Sequence, residues 1–205
     1  MGLFIPTYFS PISQYAFITK SDNVVFELQD NFQKQTYRNR CYIYGANGKL
    51  SLNIPVKHIK TEGRKKTKDT LVENDFPWQD QHFKSLKSAY QSSPFFEFFE
   101  DDIQKIFNKK YVYLVDLNID TYLFVTDALQ INQGFSRTEE YELSPIVNDY
   151  RDFSVAKNGS ISIEMNNYTQ MFDDKFGFIS NLSILDLLFM EGPNAISYLE
   201  SVKIL

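Results

Sequence analysis

Residues 2–28, GLFIPTYFSPISQYAFITKSDNVVFEL, carry the reading that decides the fold. Gly2 to Pro6 is a short apolar run that ends at a turn signal, the pattern of a buried first strand. Pro11 can open a helix that runs to about Thr19 with Ile12, Tyr15 and Ala16 to one side, and Asn23 to Leu28 reads as a second buried strand. Strand, helix and strand within about thirty residues make one βαβ unit, for which parallel strands and a right-handed crossover are expected.

Outward from this unit the pattern changes. From Thr36 the apolar period is two, with Cys41, Ile43, Leu50, Leu52 and Ile54 around the turn Gly45-Ala46-Asn47-Gly48, which predicts an antiparallel hairpin of Tyr37 to Tyr44 with Lys49 to Val56. Lys57 to Lys68, KHIKTEGRKKTK, reads as a solvated basic loop, and Asp69 to Asn74 is short enough to be an edge strand. Helical spacing then takes over. Trp78, His82, Leu86 and Ala89 or Tyr90 share one helix face, as do Phe96, Phe99, Ile103 and Ile106 or Phe107. Tyr113 to Leu129 is apolar nearly all round, so a polar residue on it such as Asn118 needs a partner. Glu139 to Gly159 shows no period and reads as loop. Asn181 to Phe189 is an amphipathic helix, and Pro193 starts a last one to about Val202. The predicted fold is α/β: an N-terminal parallel unit plus an antiparallel hairpin over about 1–75, then a mainly helical half over about 76–205, in one domain.

Composition narrows the function. The chain has 205 residues and is 43% hydrophobic, enough for a single-domain core. One cysteine and two histidines supply neither a disulfide nor the usual zinc ligand sets, so no metal is expected. A net charge of -5 argues against a globally basic nucleic-acid footprint. The first residues lack a basic segment followed by an apolar run, and no stretch of about eighteen apolar residues occurs, so no membrane span and a cytoplasmic location are expected. The aromatic content is high, 19 Phe and 13 Tyr against one Trp.

Several places could carry chemistry. Tyr8 and Ser10 fall in the loop after the first strand, where α/β enzymes hold phosphates; the alternative is a plain turn, and the histidine pair that nucleotidyltransferases place there is missing. Gln33, Lys34, Arg38, Asn39 and Arg40 follow the second strand and suit an anion, or else decorate a solvated edge strand. On a strand Arg38 and Arg40 would share one face and Asn39 the other. His82 is either a general acid or base or a packed core residue. The basic loop could close over an anionic substrate or simply be solvated. Asp101-Asp102 and Asp173-Asp174 read as surface pairs, and Cys41 as a buried, inert thiol.

Taken in order, PTYFSPISQYAFI, Gln33-Lys34 with Arg38-Asn39-Arg40, Ile54-Pro55-Val56-Lys57, Trp78 with His82, Tyr90 and Pro94, Asn118, and the closing NLSILDLLFMEGP resemble the WbqC-like family of bacterial proteins over roughly residues 3–195. The family's opening usually carries a glycine where Gln14 precedes Tyr15 and Ala16 here. The resemblance implies a setting in O-antigen type or other surface-polysaccharide biosynthesis. The candidate binding residues are Tyr8, Gln33, Lys34, Arg38, Asn39, Arg40, Lys57, Trp78 and Tyr90, with His82 as the candidate proton donor or acceptor, and no cofactor is identified. Two functions stand open: an enzyme acting on an activated sugar or other anionic small molecule, with Tyr8, Arg40 and His82 converging on one pocket, or a non-catalytic accessory protein in which they are scattered or His82 is packed. Nucleic-acid binding through the basic loop is the least favoured, because of the acidic balance.

Overall fold

The computed structural model describes residues 1–58, 63–155 and 163–204. Strand β1 (Gly2–Phe4), helix α1 (Ile12–Ile18) and strand β2 (Val24–Phe26) form the expected unit, with β1 and β2 parallel in the register Gly2↔Val24 to Phe4↔Phe26. Every residue of α1 is buried, because the helix packs against the last two helices of the chain and the 3-10 turn at 151–154.

The hairpin β3 (Arg40–Gly45) and β4 (Gly48–Asn53) pairs Arg40↔Asn53 through Gly45↔Gly48. Its turn needs a left-handed residue, supplied by Gly48 at φ 94°. The ladder is shorter than the predicted one because residues 36–39 turn, with Asn39 N–H donating to the Thr36 carbonyl, and Arg40 is the first strand residue. The segment 69–74 also differs from the edge strand expected of it. A 3-10 turn, Thr67–Asp69, is followed by single bridges, Leu71 to Tyr113 and Val72 to Val56, so extended backbone bonds to two different partners and no ladder forms.

Helices α2 (Trp78–Tyr90), α3 (Phe96–Asn108) and α4 (Leu114–Ala128) lie where the apolar spacing puts them, and the predicted inward positions are buried. On α4 the Asn118 side-chain amide donates to the carbonyls of Pro6 (3.0 Å) and Arg38 (2.9 Å), which fastens the loop after β1 to the turn before β3. Strands β5 (Phe135–Arg137) and β6 (Asn148–Asp149) then join the sheet, giving the order β5-β2-β1-β6 with every pair parallel. The segment 139–159, read as loop, therefore holds a sheet strand and a 3-10 turn, Arg151–Ser154. After them come β7 (Ile163–Glu164), α5 (Asp173–Phe176), α6 (Ile184–Glu191), α7 (Ala195–Ser201) and β8 (Lys203–Ile204), which pairs with β7. The buried cluster runs from Phe4 through Leu117 to Val202, so the sheet, the hairpin and the helices share one core. Among the described residues no helix is long and apolar enough to cross a membrane.

Candidate functional site

The loop after β1 is closed. Thr7 Oγ1 lies 2.6 Å from Ser10 Oγ and 3.0 Å from Gln14 Oε1, while Gln14 Nε2 donates to the Ile5 carbonyl (2.9 Å). Gln14 thus binds the strand end to the helix. The first amides of α1 are also taken: Ile12 N–H donates to the Leu182 carbonyl and Ser13 N–H to Asn181 Oδ1, both at 3.0 Å. A phosphate finds no free donor at this helix start, so the turn reading of Tyr8 and Ser10 fits the geometry.

A cleft of about 680 Å³ lies instead beyond the carboxyl ends of β1, β2 and β6. Ile5 follows β1, Gln29, Asp30 and Asn31 follow β2, and Asp149, Arg151 and Ser154 end or follow β6. The buried Arg38 guanidinium spans it, donating to Asp30 Oδ2 (2.5 Å), Thr36 Oγ1 (3.2 Å) and Ser154 Oγ (3.1 Å). Arg151 forks onto Asp149 (2.8 and 2.5 Å) and lies over the Tyr141 ring, 5.0 Å from its centroid. The hydrogen bonds from Arg151 hold the Asp149 carboxyl below its usual value despite partial burial. Behind the cleft, buried Glu27 accepts from Gln29 N–H (2.6 Å) and Thr138 Oγ1 (2.9 Å) through one oxygen, and its other oxygen lies 4.0 Å from Arg151. Two cations on the rim, Arg64 and Lys66, form no ion pair among the described residues; Lys66 donates only to Gln29 Oε1 (3.1 Å).

The predicted anion cluster divides. Gln33 and Arg38 line the sheet-end cleft, whereas Lys34, Asn39 and Arg40 line a second one of about 630 Å³ at the root of the hairpin. The turn at 36–39 is the cause, since it removes Arg38 from the strand alternation that would have set it beside Arg40. Lys57 reaches this second cleft through Glu73, 4.0 Å away. Of the basic loop, Lys60 lies outside the described residues.

The remaining predicted residues are in the core. His82 is 5% exposed and lines neither cleft; its Nδ1 is 3.0 Å from the Tyr8 hydroxyl. Its ring packs edge-on against Trp78 and Phe107. Burial lowers its pKa to about 4, against a hydrogen bond to the Asn53 backbone that favours the charged form, so the imidazole is neutral at physiological pH. Tyr90, fully buried, donates to Asp186 Oδ1 (2.7 Å) and accepts from Tyr44 N–H (2.9 Å). Tyr8, Trp78, His82 and Tyr90 thus hold elements together and do not meet Arg40 in a pocket. Cys41 is buried as expected, and burial pushes its thiol up. The sequence reading missed Asp30, Asp149, Arg151 and Ser154. Asp30 was the findable one, since residues just past a parallel strand face its carboxyl end.

These features define the class: an α/β protein with a polar, charge-paired cleft at the carboxyl ends of a parallel sheet. The chain belongs to the WbqC-like protein family, whose model matches residues 6–158. That span holds the lining of both clefts except Ile5 and stops before the closing NLSILDLLFMEGP, so the match is shorter than the resemblance over 3–195. The chain is similar to the uncharacterized protein Rv1507c of Mycobacterium tuberculosis (strain ATCC 25618 / H37Rv), 27% identical over 202 residues, which cover 85% of this chain and 87% of the relative. No solved structure matches.

Proposed function

We propose that this protein binds an anionic small molecule, an activated sugar of surface-polysaccharide assembly, in the sheet-end cleft and acts on it there. The observation that carries the reading is the pair of rim cations, Arg64 and Lys66, that no described carboxylate neutralises, at the place where open α/β sheets take ligands. A phosphate suits these two cations. Sugar hydroxyls suit Gln29, Asn31, Gln33 and Ser154, which both donate and accept. The Arg38–Asp30 and Arg151–Asp149 pairs are already formed, so the floor of the cleft needs little reorganisation on binding. With His82 in the core, a proton step falls to a carboxylate, and Asp30 is the candidate because its Oδ1, though closed to solvent, carries no hydrogen bond among the described residues. The glycan setting rests on the resemblance of the motifs.

The burial of Tyr8 and His82 favours a second reading, a non-catalytic accessory protein that uses the same cleft only to bind. Thermal shift with nucleotides, nucleotide sugars and sugar phosphates tests the binding common to both, since a ligand at about 100 times its Kd stabilises by about 2.7 kcal/mol. The stabilisation is expected with a phosphorylated sugar and is expected to fall in Arg64→Gln and Lys66→Gln. No shift with any of these ligands overturns the binding. Asp30→Asn separates the two readings: turnover lost while the shift persists identifies an enzyme, and a shift with no turnover in the unaltered protein identifies an accessory.

A further inference from the structure

Arg40 is in an unusual state. Its side chain is half-buried, and among the described residues its Nε, shut off from solvent, has no acceptor and the guanidinium makes no ion pair. Glu73, the carboxylate in the same cleft, is engaged elsewhere: it accepts from Asp75 N–H (3.2 Å) and faces Lys57 at 4.0 Å. A half-buried cation with a dry, unpaired donor costs free energy unless something compensates it. Lys34 adds a second positive charge, its Nζ 3.4 Å from His58 Nδ1. Ile54, Pro55 and Val56 are apolar groups of the same lining, and Phe76, which also lines the cleft, has 62% of its surface in solvent.

We propose that this cleft is a second ligand site, which takes an oxyanion, phosphate or carboxylate, carried on a planar ring. The anion seats on Arg40, flanked by Lys34, and the ring lies against Phe76. An oxyanion accepts from the guanidinium Nη groups, two donors in a fixed geometry that a single-point ammonium lacks. Burying the exposed face of Phe76 under the ring favours aryl ligands over the bare ion. The site is separate from the sheet-end cleft: residues 33–40 supply Gln33 and Arg38 to one and Lys34, Asn39 and Arg40 to the other, so the two succeed or fail independently.

Titration calorimetry of the full chain with phenyl phosphate, benzoate and inorganic phosphate tests the site. Saturable one-to-one binding of an aryl oxyanion is expected, weakened about tenfold or more in Arg40→Gln, close to the level of the bare ion in Phe76→Ala, and unchanged in Arg64→Gln. Preference for phenyl phosphate identifies a phosphate ligand, and preference for benzoate a carboxylate. Equal affinity in Arg40→Gln and the unaltered protein, a loss confined to Arg64→Gln, or no saturation by either aryl ligand up to about 10 mM overturns the proposal. If Arg40→Gln does not fold, Lys34→Gln, at an exposed position, takes its place, and unchanged affinity in that variant also overturns it.

Discussion

At the scale of one residue, His82 shows how burial decides what an imidazole can do. The Tyr8 hydroxyl lies 3.0 Å from Nδ1 of the ring, and among the described residues burial and the Asn53 backbone, with no carboxylate, set its charge state. Its folded pKa, about 4, lies below the ordinary 6.5. Above pH 6.5 both folded and unfolded rings are neutral, and His82 adds no pH dependence. As pH falls from 6.5 toward 4 the unfolded ring takes up a proton that the folded ring refuses, so stability is lost through this window, by about 3 kcal/mol at its end. Urea unfolding at pH 7.5 and about pH 4.5 of the unaltered protein and His82→Gln checks this: the variant, though less stable, should lose about 2–3 kcal/mol less between the two pH values. Equal losses would show that the ring is reached by protons in the fold. The sequence placed His82 on the inward helix face through its register with Trp78 and Leu86, but the same register fits a core residue and a catalyst. What separates them is the partner, Tyr8, which comes from 74 positions away and leaves no local pattern.

At the scale of elements, polar contacts between distant segments join what the apolar periods build. Asp186 on α6 is fully buried, and burial raises its pKa while hydrogen bonds from Tyr168 (2.5 Å), Tyr90 (2.7 Å) and Gln170 (2.9 Å) lower it. Tyr90 links this carboxylate on α6 to the Tyr44 amide of β3. Tyr90→Phe keeps the ring packing and strips a donor from Asp186 and an acceptor from Tyr44, two buried groups whose loss should cost about 3 kcal/mol in chemical denaturation. Because Tyr90 lines neither cleft, the ligand-induced thermal shift should survive; a variant of full stability that fails to bind would move Tyr90 from the core into the site. The elements themselves were legible where the period is long or the turn chemistry strong: α2, α3, α4 and the Gly45–Gly48 turn needed only spacing. Strands β5 and β6 were not, because Phe135-Ser136-Arg137 and Asn148-Asp149 are too short to show alternation and owe their state to pairing with β2 and β1. Missing β6 meant missing Asp149 and Arg151, and with them one side chain pair of the sheet-end cleft. The division between Arg38 and Arg40 was hidden for a related reason, since a turn at 36–39 held by Asn118 from α4 is a long-range event.

At the scale of the molecule, the family match ends at residue 158 but the core does not. Ile184, Leu185, Leu187, Leu188, Phe189, Ala195 and Leu199 are fully buried; Ser13 N–H donates to Asn181 Oδ1 and Ile12 N–H to the Leu182 carbonyl at the start of α1, and Ile184 N–H donates to the Ser10 carbonyl just before it. Ser183 adds its own bonds, its hydroxyl to the Phe9 carbonyl (2.8 Å) and its N–H to the Tyr42 carbonyl (2.7 Å), so the closing segment touches the first loop, the first helix and the hairpin together. Removing residues 159–205 would strip these partners from buried amides and carbonyls and uncover a continuous apolar face, with burial of each large side chain worth about 1.5–3 kcal/mol. Several such losses exceed the roughly 5–15 kcal/mol by which domains are stable. A chain ending at residue 158 should therefore lose its cooperative unfolding transition and its near-ultraviolet circular dichroism and should associate in gel filtration. A monomer with a melting transition close to that of the full chain would instead make residues 1–158 a domain in its own right, with the closing helices an appendage to it.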